Sequence, residues 1–244
     1  MDRKEIFCRV DHTLLYPVTT WEQIRVLCDQ AIAFGAASVC IPSCYVKQAH
    51  EYVAGRMTIC TVVGFPNGNT TPACKAFEAK EAIENGAKEI DMVINLGMLK
   101  AGNTQYVLDE IRLLKKTVGD LVLKVIIETC DLTDEEKITM CDIVTESGAD
   151  FIKTSTGKNG IAATPEAAVA MCLAISQFAK KTGRKVGFKA AGGISTAESA
   201  ALYYSIVEEI LGEEWLTPER FRIGASSLAN NLLSEIEGRE IKYF

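Results

Sequence analysis

The sequence predicts an α/β protein folded as a closed (β/α)8 barrel, one domain over residues 1–244. Two observations carry that expectation. Eight short apolar runs each precede a segment of helical periodicity, and strict strand–helix alternation builds a parallel sheet. No linker, low-complexity stretch or break in composition divides the chain, and eight units at this length suit a barrel. A doubly wound open sheet is the alternative.

The first strand is expected over residues 8–14, and the helix after it runs over 20–34 and stops at Gly35. Residues 38–41 form the second strand, with a helix to about Ala54 closed by Gly55. The third strand covers 58–64; Pro-Asn-Gly-Asn then leads to a helix over 72–85, ended by Gly86. The fourth strand is 89–95 and its helix 103–118. The fifth strand is 122–128, and Thr133 opens the next helix with Glu136 three residues on, a capping box; Gly148 ends it. The sixth strand is 151–154, with a helix over 164–182. The seventh is 185–190, after which Ser195 is expected to cap a helix with Glu198 as its third residue. The eighth strand is 221–224, and the last helix spans 226–236.

Composition narrows the function classes. Apolar residues make up 48% and charged residues 24% of the chain, ordinary values for a globular protein with a sizeable core. A net charge of −6 without any basic run argues against nucleic-acid binding. No apolar stretch approaches the roughly 18 residues of a membrane span. The segment Met-Asp-Arg-Lys-Glu-Ile-Phe lacks a secretory hydrophobic region, so a cytoplasmic location is expected. The nine cysteines are scattered, mostly in apolar contexts, and read as core residues in a reducing compartment. Cys40 and Cys44 are four apart, but no histidine or cysteine cluster completes a zinc set. His12 lies on the face of its strand opposite a site aspartate and is expected to pack under a helix.

Three lysines interrupt strands that otherwise read as buried: Lys124 in Leu-Val-Leu-Lys-Val-Ile-Ile-Glu, Lys153 in Ala-Asp-Phe-Ile-Lys-Thr-Ser-Thr, and Lys189 in Lys-Val-Gly-Phe-Lys-Ala-Ala-Gly-Gly. A buried ammonium loses hydration and is rarely kept without a partner or a task. A lysine near other cations in a dry pocket becomes a neutral amine, which attacks carbonyls. Strand parity puts residues i and i+2 on one face. Asp11 pairs with Thr13, Asp91 with Asn95, and Lys124 with Glu128, while Lys153 and Lys189 oppose Ile152 and Phe188. The oily faces should meet the helices, so the polar faces point into the barrel. Buried Asp–Lys pairs that merely neutralise each other add little stability; this many converging at strand ends points to catalysis.

Two small-residue turns follow. Ala-Gly-Gly-Ile-Ser-Thr-Ala-Glu leaves the seventh strand, and Gly-Ala-Ser-Ser-Leu leaves the eighth. Backbone N–H groups at such turns approach anions, helix N-termini add partial positive charge, and barrel enzymes often hold phosphate after strands seven and eight. Thr156-Gly157-Lys158 offers a third contact. On residues alone, four readings stay open: Schiff-base chemistry on a phosphorylated substrate, a non-covalent phosphosugar isomerase or lyase using Asp91 as base, a pyridoxal-phosphate enzyme, and a barrel that only binds.

The segments Val-Asp-His-Thr-Leu-Leu (10–15), Val-Val-Gly-Phe-Pro-Asn-Gly (62–68), Glu-Ile-Asp-Met-Val-Ile-Asn (89–95), Lys-Val-Ile-Ile-Glu-Thr (124–129), Ala-Asp-Phe-Ile-Lys-Thr-Ser-Thr-Gly (149–157), Gly-Phe-Lys-Ala-Ala-Gly-Gly-Ile (187–194) and Ile-Gly-Ala-Ser-Ser (223–227) resemble, in order and over almost the whole chain, the deoxyribose-phosphate aldolase family. The resemblance implies a class I aldolase that reversibly cleaves 2-deoxy-D-ribose 5-phosphate to acetaldehyde and D-glyceraldehyde 3-phosphate, with no metal or cofactor. It implies that Lys153 is the Schiff-base nucleophile, that the charge of Lys189 keeps Lys153 neutral, and that Asp91 relays protons through water. Asp11, Thr13, Cys40 and Lys124 match pocket positions around the sugar; Gly157, Gly192, Gly193, Ser226 and Ser227 match the phosphate cradle. Tyr16 stands where many relatives have lysine, and Pro42 where many have asparagine. Some members carry protons on a tyrosine in the C-terminal tail; Tyr243 is penultimate here, and no motif aligns it. The expected partners are a small phosphosugar and other copies of the chain, a homo-oligomer with a dimer favoured.

Overall fold

A computed structural model describes residues 3–238. A short helix α1 (Arg3–Phe7) precedes β1 (Val10–Thr13), α2 (Trp21–Phe34), β2 (Ser38–Ile41), α3 (Val46–Val53), β3 (Ile59–Val63), α4 (Pro72–Glu84) and β4 (Glu89–Val93). The second half contains α5 (Leu96–Lys100), α6 (Thr104–Val118), β5 (Val122–Ile126), α7 (Asp134–Ser147), β6 (Phe151–Lys153), α8 (Pro165–Thr182), β7 (Gly187–Ala191), α9 (Ala197–Leu211), β8 (Phe221–Ala225) and α10 (Ser227–Glu237). Each strand pairs in parallel with the next, and β8 closes on β1, so the sheet is a barrel in sequential order. The open-sheet alternative is excluded.

Local chemistry explains why the helices begin where they do. Thr20 and Thr133 accept from the backbone of Gln23 and Glu136, whose side chains return the bond, and this reciprocal cap satisfies two otherwise orphaned donors. Thr71 and Thr164 cap α4 and α8, each followed by a proline in the first turn, where a missing N–H costs nothing. The cap of α9 is Thr196, with Ser199 completing the box. The expected Ser195–Glu198 pair is therefore one residue out of step.

Other boundaries differ for physical reasons. Helices α1 and α5 are five residues each, too short for periodicity to register. Asn95 does not continue the Asp91 face. It caps α5, its side chain accepting from the Met98 N–H at 3.1 Å. Strand β5 ends at Ile126, and Glu128 sits at φ +53, a left-handed conformation that a non-glycine residue adopts at a cost. It faces the loop after β6, where its carboxylate accepts from the Thr156 N–H at 3.2 Å and from the Thr156 hydroxyl.

The apolar face of each strand meets the helices. Ile90 and Met92 of β4, Leu123 and Val125 of β5, and Ile152 and Phe188 are all buried in the outer core. His12 belongs to this layer. Its Nε2 lies 2.8 Å from Gln30 Oε1 of α2, and burial pushes its pKa down to about 4 against weaker opposing hydrogen bonds to Gln30 and Ala225. Because the folded state then binds fewer protons than the unfolded chain below pH 6.5, stability is fully present above that pH and is lost as the pH falls toward 4. We expect unfolding free energy about 2 kcal/mol lower at pH 5 than at pH 7 from this residue alone. Urea titrations of the protein and of His12→Gln check it: the pH-dependent loss should be smaller by that amount in the variant, and equal losses would remove His12 as the cause.

Candidate active site

Inside the barrel the strands supply charges instead of a hydrocarbon core. Lys124, Lys153, Lys189 and Arg222 face Asp11, Glu89 and Asp91, all of them buried. Four cations against three carboxylates leave one positive charge in surplus within this described cluster. The sheet register makes the arrangement: Asp91 lies beside Lys124, Lys153 beside Lys189, Lys189 beside Arg222, and Glu89 beside Cys60.

Asp91 is the hub. Its Oδ2 accepts from Lys153 Nζ and from Lys189 Nζ, each at 2.7 Å. Its Oδ1 accepts from Lys124 Nζ at 3.0 Å and from the Cys60 thiol at 3.2 Å. Burial opposes the carboxylate charge, but the three lysines outweigh it and hold Asp91 well below the usual carboxylate range. Lys189 also reaches Asp11 Oδ2 at 2.5 Å. Burial alone would push Lys189 down; Asp11 and Asp91 outweigh it and keep it above an ordinary lysine. Lys124 meets the same opposition from burial and is raised by Asp91, Glu89 and Asp11. Arg222 ties the far side together, with Nη1 at 2.5 Å from Asp11 and Nη2 at 2.8 Å from Glu89.

The three lysines are unequal. Lys124 has three carboxylate partners and Lys189 has two, whereas Lys153 has Asp91 alone. Lys153 is also the one lysine of the three that lines the cavity at the C-terminal mouth of the barrel, a space of about 330 Å³. With Lys153 neutral, Asp91 still has Lys124 and Lys189 beside it. Geometry therefore offers one amine that can meet a ligand and two cations held in place behind it.

The cavity wall is built from the small-residue turns. Gly157, Gly192, Gly193, Ser226 and Ser227 all line it, together with Thr13. Gly192 lies at φ +86, and a Cβ there would come 2.3 Å from Ala162 Cβ and 3.0 Å from Gly157 Cα. Only glycine lets the turns after β6 and β7 pack this closely. Ser226 precedes α10 without capping it through its side chain. The helix N-terminus faces the cavity and carries partial positive charge. Lys158 lines the same space and lies 4.4 Å over the Tyr16 ring at the rim.

Apart from Asn95 and Glu128, which leave the inward faces expected of them, the structure brings together the described residues that the sequence reading selected, at two depths. Lys153, Thr13 and the cradle residues border the cavity; Asp91, Lys189, Asp11, Lys124 and Cys40 lie buried beneath it. Tyr243 lies outside the described residues. Sequence reasoning missed Glu89, Arg222 and Cys60. Parity would have found two of them, since Glu89 is two residues from Asp91 and Arg222 two from Gly224. Cys40 Sγ, Cys60 Sγ and an Asp91 oxygen lie within 4.8 Å of one another. Ammonium groups already occupy the Asp91 oxygens, so a cation there would face strong repulsion.

The site is a closed parallel barrel that presents a lysine to its cavity, backed by a carboxylate and a second lysine. Comparison with known proteins gives the family. A family model described as DeoC/LacD family aldolase matches residues 6–228, and the chain belongs to that family. A deoxyribose-phosphate aldolase of Streptococcus pyogenes is 51% identical over 212 residues, 87% of this chain and 92% of the relative. A solved structure described as a tetrameric deoxyribose phosphate aldolase from Aeropyrum pernix superposes with a TM-score of 0.78 at 28% identity, covering 96% of this chain and 92% of that one. A third, described as QR15, an aldolase, gives a TM-score of 0.81 at 30% identity over 95% and 96% of the two chains.

Proposed function

We propose that this chain is a class I aldolase that reversibly cleaves 2-deoxy-D-ribose 5-phosphate to acetaldehyde and D-glyceraldehyde 3-phosphate, a step in deoxyribonucleoside catabolism. One observation carries the reading: Lys153, alone among the three lysines of the barrel interior in lining the cavity, shares Asp91 with the buried cation Lys189.

In the cleavage direction, neutral Lys153 Nζ adds to the C1 aldehyde of the open-chain sugar and water leaves, giving an iminium. A base takes the C3 hydroxyl proton, the C2–C3 bond breaks, and its electron pair enters the iminium to form an enamine. Glyceraldehyde 3-phosphate leaves. The enamine takes a proton at C2, and water releases acetaldehyde and the amine. Asp91, acting through water, moves the protons. Lys189 holds a positive charge beside the reacting nitrogen and shares Asp91 Oδ2 with it. Asp11, Lys124 and Cys40 hold these two groups from below, and Thr13 approaches the sugar.

The phosphate rests against Gly157, Gly192, Gly193, Ser226 and Ser227, where backbone donors and the start of α10 stabilise an anion. No group in this path requires a metal. Turnover measured by coupled glyceraldehyde-3-phosphate detection should persist in EDTA. Loss that zinc restores would reject the class I reading.

The cradle has its own test. Ser226→Glu places a carboxylate where the phosphate sits, so kcat/KM for the phosphorylated sugar should fall about 100-fold or more, the range of a buried like-charge contact. Unphosphorylated 2-deoxyribose should suffer far less. A folding defect would depress both substrates alike, so the ratio decides; if it does not change, the phosphate binds elsewhere.

The phosphosugar is the small-molecule partner in this reading, and the enzyme is placed in the cytoplasm. No helix among the described residues is long and apolar enough to cross a membrane. Self-association is part of the proposal, a dimer in the simplest form, which light scattering on the purified chain measures.

A further inference from the structure

Cys60 appears in neither the nucleophile, the proton relay nor the phosphate cradle, yet it touches the centre of the network. It lies on β3 with its side chain inside the barrel and is fully buried. Its Sγ is 3.2 Å from Asp91 Oδ1 and 3.4 Å from Lys124 Nζ. Across the sheet its register partner is Cys40, and the two sulfurs and an Asp91 oxygen lie within 4.8 Å of one another.

Distance and charge decide how the donors and acceptors pair. Lys124 has only N–H donors, so the Cys60 sulfur accepts from it. The acceptors facing the single Cys60 S–H are the ionised Asp91 Oδ1 at 3.2 Å and the Thr61 carbonyl at 3.8 Å, and the nearer, charged carboxylate oxygen takes the proton. Burial raises the Cys60 thiol well above its ordinary value, so the proton needed for this bond stays on sulfur over the working pH range. Oδ1 is then occupied by Lys124 and Cys60, and Oδ2 by Lys153 and Lys189. With both oxygens engaged from fixed strands, the carboxylate cannot rotate about its Cβ–Cγ bond without breaking two contacts.

We propose that Cys60 is a positioning residue for the reaction: its thiol fixes the rotation of the Asp91 carboxylate so that one oxygen is reserved for Lys153 and Lys189. The inference rests on the aldolase reading, in which Asp91 moves protons. It makes a specific separation. Iminium formation needs Lys153 and should be indifferent to Cys60. Proton transfer at the carbon next to the iminium needs Asp91 correctly turned and should depend on Cys60.

The test uses acetaldehyde in deuterated water, following methyl-proton exchange by NMR and iminium formation by borohydride trapping. Wild-type protein must show both; failure of both would sink the aldolase reading itself and not the role of Cys60. Cys60→Val keeps the bulk and removes the donor. In it, exchange and kcat should fall about tenfold, the scale of one lost hydrogen bond to a charged group, while KM and trapping stay at wild-type levels. Cys60→Ser restores a donor in less volume and should recover exchange to within about threefold. Packing alone predicts the reverse order, with valine active and serine impaired. Wild-type exchange in Cys60→Val, or equal loss in both variants, would overturn the proposal. If valine does not fold, as judged by thermal unfolding, Cys60→Ala takes its place with the same expected outcome.

Discussion

Replacing Lys153 by methionine should abolish turnover, lowering kcat by about 10⁴-fold or more, as expected when a covalent nucleophile is removed. Methionine preserves most of the length and bulk of the side chain, so the cavity floor stays filled. The loss of charge is tolerable, because Asp91 keeps Lys124 and Lys189 as partners. The variant should therefore be folded and inactive, with a thermal midpoint near the wild-type value. Residual activity within about tenfold of wild type would assign the covalent step to another amine.

Asp91→Asn should be damaging in a different way. Asparagine has the same shape but cannot balance the lysines, so Lys124, Lys153 and Lys189 would converge on a neutral group with Asp11 and Glu89 as their remaining carboxylates. Removing one partner from a buried ionic cluster leaves uncompensated charge and costs about 3–5 kcal/mol. The proton relay would also be lost, a further fall in kcat of about 10²- to 10³-fold. Urea unfolding and the coupled assay measure the two losses separately. Adding Lys189→Met to Asp91→Asn removes one stranded cation and should return part of the stability but none of the activity. Wild-type stability in Asp91→Asn would contradict the role of this carboxylate as the hub.

The fold was legible because each strand–helix unit carries its own punctuation. The Thr133–Glu136 box, Gly35 and Gly148 mark helix ends by local chemistry that tertiary contacts do not override. The buried charged floor of the barrel was legible for a related reason. A lysine in an apolar strand is costly, and period-two alternation says which way it points. What the sequence hid depends on distance along the chain. Glu128 reads as the end of a strand, and only its contact with Thr156, 28 residues away, turns it into a clamp. Lys75 is a fourth buried lysine. It lies in α4, where charged residues are ordinary, and its Nζ meets Glu110 and the Val93 carbonyl at 2.7 Å each. That pair spans 35 residues and interrupts no apolar run. Arg222 and Glu89 were reachable by parity but reveal their partnership only when the barrel closes and β8 and β4 face each other across its interior.

The central claim is that Lys153 forms the covalent bond to substrate. Borohydride reduction in the presence of acetaldehyde and EDTA, followed by intact-mass and peptide-mass analysis, tests it most directly. The account predicts one added ethyl group per chain, carried by the peptide containing Lys153 and absent from Lys153→Met. An adduct on Lys124, Lys189 or another residue, or turnover without any trapped adduct, would contradict it.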